Sequence, residues 1–253
     1  MKRLSLIAAG LGLALGLPPA SASTTSPVAP DARALALAAD PAWADLLHYA
    51  PAPLSGRWRS LADDPGFFLA ADGARDPAAE LAATLAAVRS PARPEAPDEH
   101  PQCRFPARYH WLKSRLSDAG PWLDQPCPRL EAWMAGINPA GATLIFPSAY
   151  VNSPASMFGH TLLRIDAAGQ SEATRLLAYT VNYAAKADAT DGFSFAIKGL
   201  TGLYPGILSS SPYYMKVREY SDMESRDVWE YPLTLTTDET RQLLRHAWEI
   251  GAT

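Results

Sequence analysis

His160 is the residue whose position in the sequence best suits proton chemistry. It follows Gly159 at the end of a small, polar, Pro-interrupted segment, and it precedes a strand-like alternation over residues 161–166. The glycine lets other groups approach closely, and imidazole has an unperturbed pKa near neutral pH. We therefore predict that His160 transfers protons in a reaction. The alternative is an ordinary half-buried histidine that is bonded to a backbone carbonyl.

Asn182 is the predicted polar partner of His160. In the strand that contains it, the small and polar residues Ala178, Thr180, Asn182 and Ala184 share one face by the two-residue period, and larger residues share the other. We expect the small face to leave room for a substrate and the large face to be core. Asn182 would then fix the imidazole tautomer, as the third residue does in Cys-His-Asn sites. A turn or sheet-edge role is the alternative.

Other polar residues near His160 are weaker candidates. Ser153 and Ser156 lie outside any Gly-x-Ser-x-Gly pattern, so we expect Ser156 to bind backbone rather than to act as a nucleophile. The charged residues 222–230 are typical of solvated ion pairs, which contribute little to stability. Within that run, Arg226 and Asp227 are candidates to brace the edge of the site.

An apolar segment is the candidate substrate-binding region. Residues 198–206 are Gly-rich but lack the Gly-Lys-Ser/Thr ending of a phosphate loop. The segment is either a flexible surface connection or a flap over the site. Four apolar residues would contact substrate in the second case: Leu200, Leu203, Tyr204 and Ile207.

The N-terminus predicts export. Lys2 and Arg3, an apolar core over residues 4–17 and the small residues 20–22 together predict a cleaved signal peptide over residues 1–22. The apolar stretch is shorter than the ~20 residues of a membrane span, so an uncleaved anchor is the lesser alternative. The formal charge is −4, and removal of the two cations makes it −6. Without a basic stripe, nucleic acid is not an expected partner.

Export makes a disulfide the expected state of Cys103 and Cys127, which are the two cysteines of the sequence. The chain-entropy model assigns about 3 kcal/mol to closure of such a loop. A thiolate nucleophile is the alternative for one of them. The histidines His100 and His110 fit no zinc-ligand spacing, and neither a metal nor another cofactor is expected.

The remaining pattern predicts an α+β chain. An Ala/Pro-rich helical region over residues 23–100 precedes an antiparallel sheet. Helices are predicted at residues 40–49, 76–88, 109–116 and 128–134, and after a capping box at residues 236–239. Strands are predicted at residues 142–145, 161–165, 176–183, 213–220 and 228–235. Because the last helix carries a core-facing Trp248 close to the final residue, we expect the chain to be cut within a domain.

Several segments, in this order, resemble the N-terminal periplasmic domain of the Lnb family of bacterial lipoprotein N-acyltransferases. The resemblance covers roughly residues 103–253, with looser agreement from Ala42. Its segments are residues 103–108 (CRFPAR), 145–150 (IFPSAY), 152–166 (NSPASMFGHTLLRID), 181–185 (VNYAA), 198–206 (KGLTGLYPG), 212–214 (PYY) and 226–231 (RDVWEY).

The resemblance implies a partial catalytic domain over residues 101–253 with a circularly permuted papain-like (NlpC-type) fold. Family members are associated with moving an acyl chain from a phospholipid to the N-terminal cysteine amine of a lipoprotein. His160 matches the family's catalytic histidine, and Asn182 its polar partner. The family's nucleophile is a cysteine in an Asn-Cys-Ser segment that this sequence lacks. Implied partners are phospholipid and lipoprotein substrates, with peripheral membrane contact in the periplasm.

Two other functions remain open for such a domain. One is a thiol hydrolase, such as a cell-wall amidase or a phospholipase, in which water replaces the amine acceptor. The other is a non-catalytic module of the cell envelope that binds lipid or a partner protein.

Overall fold

The structure, a computed structural model, describes residues 32–52, 56–149, 160–185, 204 and 206–251. Helices in these residues are α1 (Ala32–Ala36), α2 (Pro41–Leu46), α3 (Pro77–Val88), α4 (Pro101–Arg104), α5 (Pro106–Arg115), α6 (Pro128–Ile137), α7 (Tyr213–Val217) and α8 (Thr237–Gly251), with a π-helix at Arg218–Met223. Strands are β1 (Tyr49–Pro51), β2 (Trp58–Ser60), β3 (Pro139–Pro147), β4 (Leu162–Ala167), β5 (Tyr179–Ala185), β6 (Gly206–Pro212) and β7 (Val228–Pro232). The predicted signal peptide lies outside the described residues. Within them, every helix is too short or too polar to cross a membrane.

The five later strands form one sheet in the order β6-β5-β4-β3-β7, and β1 pairs with β2 in a separate hairpin. Every neighbouring pair is antiparallel. The predicted α+β class is therefore confirmed. Strands β3, β4, β5 and β7 were predicted with boundaries within a few residues, whereas β6 was expected to be a connection or a flap.

Aspartates begin two helices of the N-terminal half. Asp40 precedes α2 and Asp76 precedes α3, and each side chain accepts a backbone N–H of the first turn. A proline follows each aspartate, at the position where a missing N–H costs no helical hydrogen bond. The predicted helix at residues 76–88 is confirmed. The helix predicted at residues 40–49 ends at Leu46, because the chain then enters β1.

The N-terminal helices enclose a core of their own. Trp43, Leu47, Leu81 and Leu112 have no exposed surface. The rings of Trp43 and Trp111 stack with centroids 5.5 Å apart, which joins α2 to α5. Fully burying each of the leucines stabilises the fold by about 1.5–3 kcal/mol.

One face of the sheet packs against α6 and α8. Ile165 and Leu244 have no exposed surface, and Ala142, Val181 and Ala247 complete the contact at 9% exposure or less. Leu244 and Ala247 are three residues apart and therefore lie on the same side of α8. The predicted capping box starts this helix: Thr236 Oγ1 accepts the Glu239 N–H at 3.2 Å. Glu239 Oε2 in turn accepts the Thr236 N–H at 2.8 Å.

The opposite face of the sheet is covered by the segment that connects β6 to β7. Tyr213 of α7 and Tyr220 of the π-helix pack against Ile145 and Leu162. The prediction of a strand at residues 213–220 is wrong. Tyr213, Val217 and Tyr220 follow the i, i+4, i+7 spacing of one helical face, and that face is the one that meets the sheet.

Cys103 of α4 and Cys127, which precedes α6, form the predicted disulfide. The alternative, in which one of them is a thiolate nucleophile, is therefore wrong. Helices α5 and α6 confirm the two predicted after these cysteines, although α5 begins earlier, at Pro106, and α6 continues to Ile137. The disulfide packs against Leu130 and Trp133 of α6.

Candidate functional site

The structure brings together the two residues that the sequence selected. His160 immediately precedes β4, and Asn182 lies on β5, which pairs with β4 through Leu163 and Val181. His160 Nε2 lies 2.7 Å from Asn182 Oδ1. Asn182 is 7% exposed and His160 is half-buried. The pair therefore forms one hydrogen-bonded unit between the start of β4 and the middle of β5.

This hydrogen bond determines the imidazole tautomer. An amide oxygen only accepts, so His160 Nε2 carries the proton and donates it to Asn182 Oδ1. Nδ1 of a neutral His160 then holds a lone pair, and it is bonded to no residue in the described part of the chain. Such a nitrogen can accept a proton, and the amide then stabilises the imidazolium that results.

Elements on two sides flank the pair. The ring of Tyr220 lies 6.5 Å from the imidazole, measured between centroids. Burial, followed by the charge of Glu219, raises the pKa of Tyr220, so its hydroxyl stays neutral. On β6, Ser209 lies opposite Asn182, and its hydroxyl donates to the Asn182 carbonyl at 3.4 Å.

The core role predicted for the larger face of β5 is confirmed only in part. Ala178, Thr180 and Asn182 are buried, whereas Tyr179 and Tyr183 of the larger set are 38% and 62% exposed. The two-residue period correctly shows which residues share a face, and the segment after β6 packs on the sheet face that carries the small residues. Of the larger residues of β5, Val181 is core.

A buried ionic cluster stiffens the sheet on the His160 side. Arg164 lies 2.7 Å from Asp166 and 2.6 Å from Glu230, while the Tyr213 hydroxyl donates to Glu230 at 2.7 Å. Burial alone would raise the pKa of Asp166, but hydrogen bonds from Thr143 and Arg164 lower it below its usual value. The cluster joins β3, β4, β7 and α7. Glu230 was predicted to be a solvated charge. Its partner Arg164 could not be recognised from the sequence, because 66 residues separate the two.

Arg226 fits the predicted bracing role. Its guanidinium donates to the carbonyls of Ser148 at 2.6 Å and Pro147 at 3.1 Å, which fixes the end of β3. The contribution of Asp227 comes from its backbone, since the Ser148 N–H donates to its carbonyl at 2.8 Å. Both residues therefore hold the strand from which the chain enters residues 150–159, which lie outside the described residues.

The four apolar residues proposed for substrate contact are only partly described. Leu200 and Leu203 lie outside the described residues, and Tyr204 is half-buried. Ile207 belongs to the edge strand β6, where it pairs with Ala184 and is 40% exposed. Ile207 is thus a strand residue rather than part of a flap, and its side chain is accessible.

A cleft of about 530 Å³ adjoins the same edge strand. Leu208 and Ser209 of β6 line one side, and Trp133 and Trp248 line the other. The two indole rings lie 5.4 Å apart and give the cleft an apolar wall. Ser209 connects this cleft to the strand pair that carries Asn182.

Neither a free thiol nor a metal cluster is present among the described residues. Both cysteines are consumed in the disulfide. In the ranges that the structure describes, no three side chains of His, Cys, Asp or Glu are placed to hold a metal ion together.

Comparison with protein families gives two matches. Residues 129–253 match the Lnb N-terminal periplasmic domain, and residues 35–115 match a domain of unknown function, DUF7843. Neither the curated proteins nor the solved structures give a match to the chain.

Proposed function

We propose that this chain, whose residues 129–253 form an Lnb N-terminal periplasmic domain, provides the base for a thiol-dependent acyl transfer outside the cytoplasm. In this proposal His160 is the catalytic residue and Asn182 positions it. The observation that supports the proposal best is the hydrogen bond from His160 Nε2 to Asn182 Oδ1, which leaves Nδ1 to accept a proton.

The chemistry proceeds in two steps. Nδ1 of His160 takes the proton of a thiol, the thiolate attacks an acyl ester carbon, and the ester C–O bond breaks as the alcohol leaves with that proton. An amine then attacks the thioester, His160 takes its proton, and the C–S bond breaks to give an amide and the regenerated thiol. No oxidant or reductant is needed.

The thiol must come from outside the 253 residues, because both cysteines of the sequence are joined to each other. An exported protein with a structural disulfide is consistent with an extracytoplasmic site of action. We propose a phospholipid as the acyl donor and the N-terminal amine of a lipoprotein as the acceptor, in line with the family resemblance.

The test is replacement of His160 by alanine in the chromosomal gene of the bacterium that encodes this chain. Mass spectrometry of N-terminal lipopeptides from its lipoproteins measures the acylated fraction. General-base catalysis contributes about 10²–10⁴-fold to a rate, so we expect acylation to become undetectable within a growth cycle. Met223→Ala is the control, because Met223 is 73% exposed on the π-helix that carries Tyr220.

The outcomes separate the competing functions. Unchanged acylation in His160→Ala cells would contradict the proposal and favour a non-catalytic envelope module. If His160→Ala cells keep normal N-acylation but no longer release a free fatty acid or a peptidoglycan fragment, the protein is a hydrolase instead. Loss of N-acylation in His160→Ala cells, with normal acylation in the Met223→Ala control, would support acyl transfer.

A further inference from the structure

A second cleft lies between α5, α6 and α8, and it reaches the start of β3 at Pro139. Its volume is about 510 Å³. Four of the side chains that line it are cationic or become so on protonation: His110, Lys113, Arg241 and Arg245. We call it the α5–α8 cleft. The proposed acyl transfer makes no use of it.

The carboxylates that line the α5–α8 cleft are already engaged. Asp124 accepts from Lys113 at 2.6 Å and 2.7 Å, and it also accepts the Tyr109 hydroxyl. Glu131 accepts the Cys127 N–H at 3.1 Å, at the start of α6. Asp124 therefore pairs with Lys113, and neither carboxylate forms an ion pair with the two arginines of α8 within the described residues.

Arg245 has no carboxylate within ion-pair distance in the described part of the chain, and Asp238 offsets its charge only from farther away. Arg245 is half-buried, and its one hydrogen bond to a described residue is to Gln242 Oε1 at 3.5 Å. Arg241 lies one helical turn earlier, on the same side of α8. Its own pair with Asp238 is long, at 3.7 Å, and Asp238 is 93% exposed. Two guanidinium groups therefore line one wall with little neutralisation.

The pKa of the neighbouring His110 is lowered by burial and by the positive charges around it. Desolvation, followed by the charges of Arg245 and Lys113, lowers the pKa of His110 to about 4. Desolvation and then Arg241 likewise lower the pKa of Arg245, and the charge of Asp238 offsets part of this effect. The wall is held in place, because Gln242 Nε2 donates to the Ala107 carbonyl at 3.0 Å and so fixes α8 to α5.

We propose that the α5–α8 cleft binds a phosphate group, with Arg245 as the principal contact and Arg241 as the second. Guanidinium groups bind phosphate oxygens through paired, charge-assisted hydrogen bonds, and two of them suit a dianion. A bound phosphate would also relieve the repulsion between like charges at i, i+4 spacing. The group could belong to a free phosphate ester or to an anionic lipid headgroup.

The experiment measures binding to the full chain by two probes. Inorganic phosphate is titrated while the His110 imidazole is followed by NMR, and vesicles with and without phosphatidylglycerol are tested by sedimentation. We expect the pKa of His110 to rise by about one unit in saturating phosphate, because the anion offsets the like charges. Arg245→Gln should weaken binding about tenfold, the loss of one charge-assisted contact. Arg59→Gln, which changes an exposed cation of β2, should have no effect.

Each outcome decides the proposal. Phosphate binding that Arg245→Gln weakens supports a site for free phosphate esters. Binding to phosphatidylglycerol vesicles alone, weakened by the same variant, supports a lipid headgroup. If Arg245→Gln and Arg59→Gln behave alike with both probes, the proposal is overturned. Thermal unfolding of both variants establishes that they are folded, and Arg241→Gln provides a second variant of the same wall.

Discussion

Glu249 of α8 binds Arg108 of α5 in two ways within the protein interior. Its Oε1 accepts the Arg108 backbone N–H at 2.9 Å, and its Oε2 lies 3.2 Å from Arg108 Nε. The guanidinium also lies 3.1 Å from Glu80, and all three side chains have no exposed surface. These contacts join the region that matches DUF7843 to the one that matches the Lnb domain.

Replacement of Arg108 by methionine should strongly destabilise the fold. The change leaves two buried carboxylates without their cation, which typically costs about 3–5 kcal/mol. Urea unfolding followed by circular dichroism measures the loss. Arg115→Met is the control, because Arg115 is 50% exposed and its pair with Asp40 spans 3.7 Å. A loss no larger than that of the control would contradict this account, and adding Glu249→Gln to Arg108→Met should restore part of the stability.

The His48–His246 pair should make stability depend on pH. The two Nε2 atoms lie 3.2 Å apart, and burial, followed by His48 and Arg108, lowers the pKa of His246 from 6.5 to about 4. The unfolded chain binds a proton at this residue below about pH 6.5, whereas the native state does so only near pH 4, so stability falls as the pH falls through that window. The contribution is at most about 3 kcal/mol.

His246→Gln should flatten the pH profile in this range. The free energy of unfolding is measured in urea at several pH values, and the difference between wild type and variant isolates the histidine. Glu249 acts in the opposite direction, because burial raises its pKa from 4.5 to about 7 and its contribution is lost as the pH rises. Parallel profiles for the two proteins would show that His246 does not titrate as described.

Asn182→Ala should reduce acyl transfer without abolishing it. The variant loses the hydrogen bond that holds the His160 ring and stabilises its cationic form. A hydrogen bond to a charged group contributes about 1.5–3 kcal/mol, which corresponds to a roughly 10- to 100-fold lower rate. The pH profile of the rate should shift as well, since the imidazolium loses its acceptor. A merely structural Asn182 would lower the amount of folded protein and leave that profile unchanged.

Ile207→Asp should weaken association with phospholipid vesicles. The side chain is 40% exposed on the edge strand β6, beside the candidate site. A charge there opposes insertion of the edge among lipid headgroups and acyl chains. Vesicle sedimentation gives the partition coefficient, with Ile207→Val as the apolar control. Equal partitioning of the two variants would exclude this edge from membrane contact.

Loss of the disulfide should destabilise the chain by about 3 kcal/mol through the freedom that the unfolded loop gains. The paired change Cys103→Ser and Cys127→Ser removes the cross-link, and its unfolding midpoint is compared with that of the oxidised protein. Addition of a thiol reductant to the wild type should reproduce the loss. If neither treatment changes the unfolding midpoint, closure of this loop by the disulfide, across 24 residues, does not measurably stabilise the fold.

Local and periodic features could be predicted from the sequence. The capping box at Thr236 marks the start of α8, because its hydrogen bonds connect residues three apart. The two-residue period of the strands placed Asn182 toward His160, and these side chains do meet. The disulfide was expected because export was predicted and the sequence has two cysteines.

Features that depend on distant partners could not be predicted. Glu80 and Glu249 are 28 and 141 residues from Arg108, and charges on helices are usually solvated. The segment at Tyr213 was assigned to a strand because aromatic residues favour strands, although its i, i+4, i+7 spacing fits a helix. The burial of the small face of β5, which carries Thr180 and Asn182, depends on the path of that same segment across the sheet.

That path constrains the order in which the chain folds. Since β6 and β7 occupy opposite edges of the sheet and the α7 segment packs on Ile145 and Leu162, we expect this segment to dock only after β3 and β4 have paired. Pairings between distant residues form slowly, so Ile145 and Leu162 stay in contact with water during this interval. We therefore expect molecules that are still folding to be most prone to aggregation just before the α7 segment docks, and a chaperone that shields this surface should raise the yield of native protein.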